Sequence, residues 1–174
     1  EKIIMKKLLH KKIFVLFCAI TVFLPQLVFA STIYIDSSHS DFFVGDIVLF
    51  SVRVDSESKN INAVEGSISL KTTPQSITLT DINTSGSKFP LWLKKPLPSV
   101  DTTDVSFSGG VQGGLNSNDA IIFNIVLKLE KVGQFTLAPN DSSVYLNDGN
   151  GTKDVTNSKN LVINVLPKKP NSAA

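Results

Sequence analysis

After residue 30, apolar and polar residues alternate with a period of two in short runs, the pattern of half-buried β-strands. Val48, Phe50, Val52 and Val54 point one way, Leu49, Ser51 and Arg53 the other. Val64, Gly66, Ile68 and Leu70 alternate with Glu65, Ser67 and Ser69. Ile77 and Leu79 follow, with Ile82 reached across a bulge, and Val105 and Phe107 alternate with Ser106 and Ser108. The longest row is Ile121, Phe123, Ile125, Leu127 and Leu129, opposite Ile122, Asn124, Val126 and Lys128. Ile33 with Ile35, Phe135 with Leu137, Val144 with Leu146, and Leu161 with Ile163 and Val165 bring the set to about nine strands. Turn residues separate the runs at Val44–Asp46, Lys131–Gln134 and Asn147–Gly151. No amphipathic helix and no internal repeat is read in this part of the chain. The pattern predicts an all-β, two-sheet β-sandwich in which each sheet hides one face.

The first 30 residues follow a different rule. From Met5, the expected initiator, a basic stretch leads into an apolar run from Ile13 to Leu24, which Pro25 and Gln26 break. Val28 and Ala30 then stand as small residues at the −3 and −1 positions before Ser31. These are the three parts of a secretory signal peptide, and the apolar run is short for the roughly 20 residues of a spanning helix. The expected organisation is a leader over 1–30, a β-sandwich over 31–166, and a polar, Pro-bearing linker or truncated tail over 167–174. The product is expected to be secreted, outside the cell or on its surface, with no membrane segment after cleavage.

Charge and composition narrow the chemistry. Five of the 17 basic residues lie in the first 12 positions, so residues 31–174 carry 12 basic and 14 acidic side chains, a net charge of −2. Such a domain is a poor match for a phosphate backbone, and no nucleic-acid partner is expected. Beyond residue 30 there is no Cys, one His (His39) and one Trp (Trp92). That excludes a cysteine nucleophile, a disulfide framework and a Cys or multi-His zinc site. His39 sits in a Ser-rich segment with no partner motif for a Ser-His-Asp triad, and Asp101 and Asp104 read as solvated turn acids. No nucleophile–base–acid constellation appears, so an enzyme is not expected.

Two segments remain as candidate sites. The Pro-rich stretch Ser85–Val100 crowds Phe89, Leu91, Trp92 and Leu93 together, and reads as a loop, too rich in Pro for a central strand. Phe89, Leu91 and Trp92 are candidate contacts for a protein partner or a sugar ring; the competing reading has Trp92 plugging one end of the sandwich. Asn147–Thr152 resembles half of a calcium loop, with Asp148, Asn150 and Asp154 as weak candidate ligands. It lacks the bidentate Glu and flanking helices of a strong site. A hairpin turn with Gly149 and Gly151 at positive φ is favoured, and no cofactor is expected. The run Phe107–Gly114, with four glycines, has no following helix or Lys to cradle phosphate, and reads as a strand ending in a closely approached bend.

The order of these landmarks carries a resemblance. Val44-Gly45-Asp46 leads into IVLFSVRV; NINAVEGSISL and ITLTDINTSGS precede the aromatic loop; VSFSGGVQGG, AIIFNIVLKLEKVGQFTL and SVYLNDGNGT follow. Over residues 32–166 this set resembles the cohesin domain, in particular the divergent single-copy bacterial forms. The resemblance implies a nine-stranded jelly roll like that of several carbohydrate-binding modules. It also implies a non-catalytic module that attaches a dockerin-type or other extracellular protein in the setting of polysaccharide degradation; from the alternating strands and the absence of Cys, the mature domain is expected to fold alone as a monomer. The alternative is a carbohydrate-binding module that contacts polysaccharide through Trp92 and adjacent loops.

Overall fold

The computed structural model describes residues 30–70 and 76–168. The leader before Ala30, the connection 71–75 and the last six residues lie outside the described residues, and with them the signal-peptide reading and most of the tail reading.

Eleven strands make up the described chain: β1 (Ser31–Ser37), β2 (Phe42–Phe43), β3 (Ile47–Asp55), β4 (Ile61–Ser69), β5 (Ile77–Asn83), β6 (Leu91–Pro98), β7 (Asp104–Leu115), β8 (Ala120–Leu129), β9 (Gly133–Leu146), β10 (Thr156–Lys159) and β11 (Leu161–Leu166). They form two sheets, ordered β10-β1-β3-β8-β5 and β2-β11-β9-β4-β7-β6. Most neighbours run antiparallel; the short strands β10 and β2 pair parallel to β1 and β11. The architecture is the two-sheet jelly roll that the sequence reading expected.

The period-two rows supply the core. Val48, Phe50, Val52 and Val54 of β3, Val64 and Ile68 of β4, and Phe123, Ile125, Leu127 and Leu129 of β8 are all buried. Aromatic rings tie the sheets together: Phe107 of β7 meets Phe123 of β8 at 5.1 Å and 54°, and Phe42 of β2 meets Phe50 of β3 at 5.9 Å. Such tilted or offset pairs add about 0.5–1.5 kcal/mol beyond their buried area.

The structure departs from the expected strands in four ways. The short strands β2 and β10 stand outside the nine that the alternation predicts and help bring the total to eleven. The register of β3 against β8 slips between Val52/Phe123 and Arg53/Ile121. Ile122, expected on the outer side, is therefore fully buried, and Ile121, expected in the core row, is only half-buried. A bulge puts two residues opposite one and breaks the alternation at that point. Phe135–Leu137 and Val144–Leu146, read as separate strands, belong to the single strand β9, which bulges against β4 between Asn140 and Ser143. Finally, the stretch read as a loop holds a strand, β6. It lies at the edge of its sheet with β7 as its neighbour, where Pro needs no donor on its outer side.

Candidate functional site

The connection from β5 to β6 carries the chain from one sheet to the other, and a polar network pins it. Asn124 of β8 points away from the core yet is buried, because this connection lies over it. Its side-chain amide donates to the Ser85 carbonyl at 2.9 Å and to Asn83 Oδ1 at 3.2 Å, while its oxygen accepts the Ser51 hydroxyl at 2.8 Å. The Lys88 amide donates to the Ile121 carbonyl at 2.9 Å. Thus fixed, the chain drops Phe89 into the core, fully buried, before β6 begins.

The three aromatic-loop candidates therefore part company. Phe89 supports the strand from below and has no surface to offer. Leu91 is exposed, and so are Leu93 and Leu97, at 57%, 90% and 57% respectively. Trp92 is half-buried, packed on the core. Its register partner is Gly109, and a β-carbon there would stand 2.8 Å from Trp92 Cζ3 and 2.9 Å from Cε3. Gly109 is the close approach expected of the glycine run, although β7 continues through it to Leu115.

The ladders define what lies on the outer face beside β6. Val105, Phe107 and Gly109 of β7 are buried, so Ser106, Ser108 and Gly110 face outward. Across β6, β7, β4 and β9 the registered rows are Leu91–Gly110–Ala63–Tyr145, Lys94–Ser108–Glu65–Ser143 and Leu97–Ser106–Ser67–Asn140. The middle of this face is Gly, Ala and Ser except for Glu65 of β4, and one margin carries exposed leucines with Lys94 and Lys95. At the opposite margin the Tyr145 hydroxyl donates to Glu65 Oε1, a bond that raises the phenol's pKa. A shallow groove over Ala63, Ser108 and Gly110 is bounded by Leu91, Leu93 and Lys95. A flat, small-residue sheet face with an apolar rim leaves room for another protein's helix or strand to lie close to the backbone. Sequence reasoning found Leu91 but not this face: its signal was a run of Ser, Gly and Ala on the outward positions of β4 and β7, where a solvated sheet ordinarily carries larger polar side chains.

The calcium candidates do not share a centre. Asp154 is withdrawn from solvent and holds the Lys59 ammonium at 2.6 and 2.8 Å and the Ser31 hydroxyl at 2.7 Å. Burial alone would raise its pKa, but the bonds from Lys59 and Ser31 outweigh that and lower it. Asp148 instead accepts from the Thr152 side chain and, at 2.9 Å, from the Asn150 amide within its own turn, which lowers its pKa. The turn closes a short hairpin: the Leu146 amide donates to the Thr152 carbonyl, and Gly149 and Gly151 take φ of 77° and 68°. Among the described residues no cluster of three or more His, Cys, Asp or Glu gathers at one point.

This geometry is that of a jelly-roll module with an open sheet face. More narrowly, it is the fold of cohesins. The seventh ScaB type I cohesin of Pseudobacteroides cellulosolvens matches with a TM-score of 0.61 at 14% identity, over 83% of this chain and 97% of that one. The cohesin module of a family 33 glycoside hydrolase from Clostridium perfringens matches at 0.60 and 9%, over 80% and 98%. The third ScaB cohesin of R. flavefaciens, solved in complex with a group 1 dockerin, matches at 0.58 and 17%, over 82% and 99%. No family model and no curated protein matches the sequence. In fold, the chain is a cohesin-like domain.

Proposed function

We propose that the chain is a secreted, non-catalytic attachment module that receives a dockerin-type protein on the outer face of β6, β7, β4 and β9, outside the cell or at its surface. One observation carries the reading: this face combines a centre of Gly110, Ala63, Ser106 and Ser108 with exposed Leu91, Leu93 and Leu97 along one margin. Clustered exposed leucines beside a flat floor of small residues, in which Glu65 is the one acid and is engaged by Tyr145, are the makings of a protein contact. Solved cohesins of the same fold have been captured with dockerins, including one from Clostridium thermocellum. The cohesin module borne by a family 33 glycoside hydrolase favours a setting in the breakdown of glycosides, the class to which polysaccharides belong. The sugar-binding alternative draws less support, since Trp92 has part of its ring turned in against Gly109.

Titration calorimetry of the exported chain against dockerin modules, those of the R. flavefaciens and Clostridium thermocellum complexes among them, tests the reading. At least one should bind at about micromolar Kd or tighter, and Leu93→Asp should weaken it about tenfold or more. No binding to any dockerin, together with a response of Trp92 fluorescence to soluble polysaccharide, would overturn it in favour of the sugar reading.

A further inference from the structure

The fold closes around the first residue of β1. Ser31 is fully buried. Its hydroxyl donates to Asp154 Oδ2 at 2.7 Å, and its backbone nitrogen lies 3.3 Å from the same oxygen. The Asp154 side chain is 7% exposed and already holds Lys59. Pairing of β1 with β10 starts at this residue, Ser31 against Thr156. Ala30, one residue upstream, is half-buried, and its carbonyl accepts a long 3.4 Å bond from Thr32.

While Ser31 is joined to Ala30, its nitrogen is a neutral amide with a single hydrogen, and the contact to Asp154 is long. We propose that the Ala30–Ser31 bond is the processing site of the leader, and that the α-ammonium set free at Ser31 docks on the Asp154 carboxylate as a second cation beside Lys59. The inference rests on the secretory reading above. In the cleavage a leader peptidase directs water onto the Ala30 carbonyl carbon and the C–N bond breaks. Ala30 departs with the leader as a carboxylate, and the Ser31 nitrogen gains protons to become –NH3+. The neutral contact becomes a charge-assisted one, which ordinarily shortens to about 2.7–2.9 Å and is roughly twice as strong. Little movement is required, because the nitrogen already faces the oxygen and the hydroxyl of the same residue steadies it.

The burial of Ser31 also fixes an order of events. The bond is out of a peptidase's reach once β1 lies between β3 and β10, so cleavage precedes closure of the fold. Afterwards the new α-amine is sheltered, and the finished domain carries its own record of having been processed.

The test uses the full chain exported from a bacterial host, beside a variant with one Gly inserted between Ala30 and Ser31, each with and without Asp154→Asn. Intact mass and N-terminal sequencing give the first residue, acylation of the native protein reports the α-amine, and urea unfolding gives stability. The exported chain should begin at Ser31. Its α-amine should acylate at least about tenfold more slowly than that of the Gly-extended product, and its folding constant should exceed that product's by about tenfold. Asp154→Asn should shrink both differences. If Asp154→Asn fails to fold, the acylation comparison between the two parent chains still decides. A product beginning elsewhere overturns the processing site, and a retained leader overturns the secretory reading with it. A product beginning at Ser31 whose α-amine acylates as fast as the extended one overturns the docking alone.

Discussion

Trp92 occupies the space that a side chain at position 109 would need: a β-carbon on Gly109 would stand 2.8 Å from Cζ3 of the indole. The edge strand that carries the exposed leucines is thus seated on β7 by a ring lying where β7 has no side chain. Gly109→Ala should cost about 1–3 kcal/mol, as overpacking does, and should shift the emission of the chain's single Trp as the ring is displaced. Urea unfolding followed by fluorescence checks both, and an unchanged midpoint would show that the ring gives way freely.

Asn124 should matter more than its place on the outer side of β8 suggests. Asn124→Ala leaves the Ser51 hydroxyl and the Ser85 carbonyl without their partner, at about 1–3 kcal/mol for buried polar groups left unmatched. The effect should concentrate in the β5–β6 connection. Hydrogen exchange at the Lys88 amide, which donates to Ile121, should accelerate more than exchange at the amides of β3.

Phe123 and Ser108 test which way the sheets face. Phe123 is fully buried against Phe107, and Phe123→Ala should cost about 3–5 kcal/mol. Ser108 faces outward from β7, and Ser108→Ala should stay within about 0.5 kcal/mol. Matching urea midpoints for the two variants would contradict the assignment of faces.

Asp101 supplies a titration with a defined sign. Its carboxyl accepts the Ser99 hydroxyl at 2.6 Å, then the Thr103 hydroxyl and amide, and is held at about 2 against an ordinary 3.8. A depressed carboxyl contributes stability that is fully present above pH 3.8 and is lost as pH falls through about 2. The Asp101 resonance should titrate near the lower value, and in Ser99→Ala its midpoint should rise toward the ordinary one.

The Asn147–Thr152 hairpin should behave as a turn. Gly149 takes φ of 77°, so Gly149→Ala should cost about 1 kcal/mol or more. Millimolar calcium should leave the Tm where it was, because Asp154 is committed to Lys59 and Ser31. A calcium-dependent rise in Tm that vanishes in Asp148→Ala would establish a metal site instead.

The sandwich was legible wherever burial on one side alone decides which residues sit where. The rows through β3, β4 and β8 follow period two because each strand has one core face and one outer face. Ile121 and Ile122 misled because both are apolar, so composition offers no clue to a bulge set by the partner strand. Strand β6 was hidden because Pro90, Pro96 and Pro98 argue against any strand with two neighbours and are silent about one at an edge. The candidate face was hardest to see: Ser106, Ser108 and Gly110 look like ordinary solvated positions until the registers of β6, β7, β4 and β9 set them side by side. Leu91 was in view from the start, since a leucine between prolines has few places to hide.

The parallel pairings at the two rims bear on how the domain would respond to being pulled. Ser31 begins β1 beside the end of β3 at Asp55, whereas Leu166 ends β11 beside Phe43, just before β3 starts. The described fold is therefore entered at one pole and left at the other. Neither terminal strand lies at a rim: β1 sits between β10 and β3, and β11 between β2 and β9. Tension applied through the chain would run along both strands, loading the ladder bonds on either side of each together rather than peeling them open one after another. A domain drawn apart through the two ends of its chain would resist as a shear joint, not as a zip.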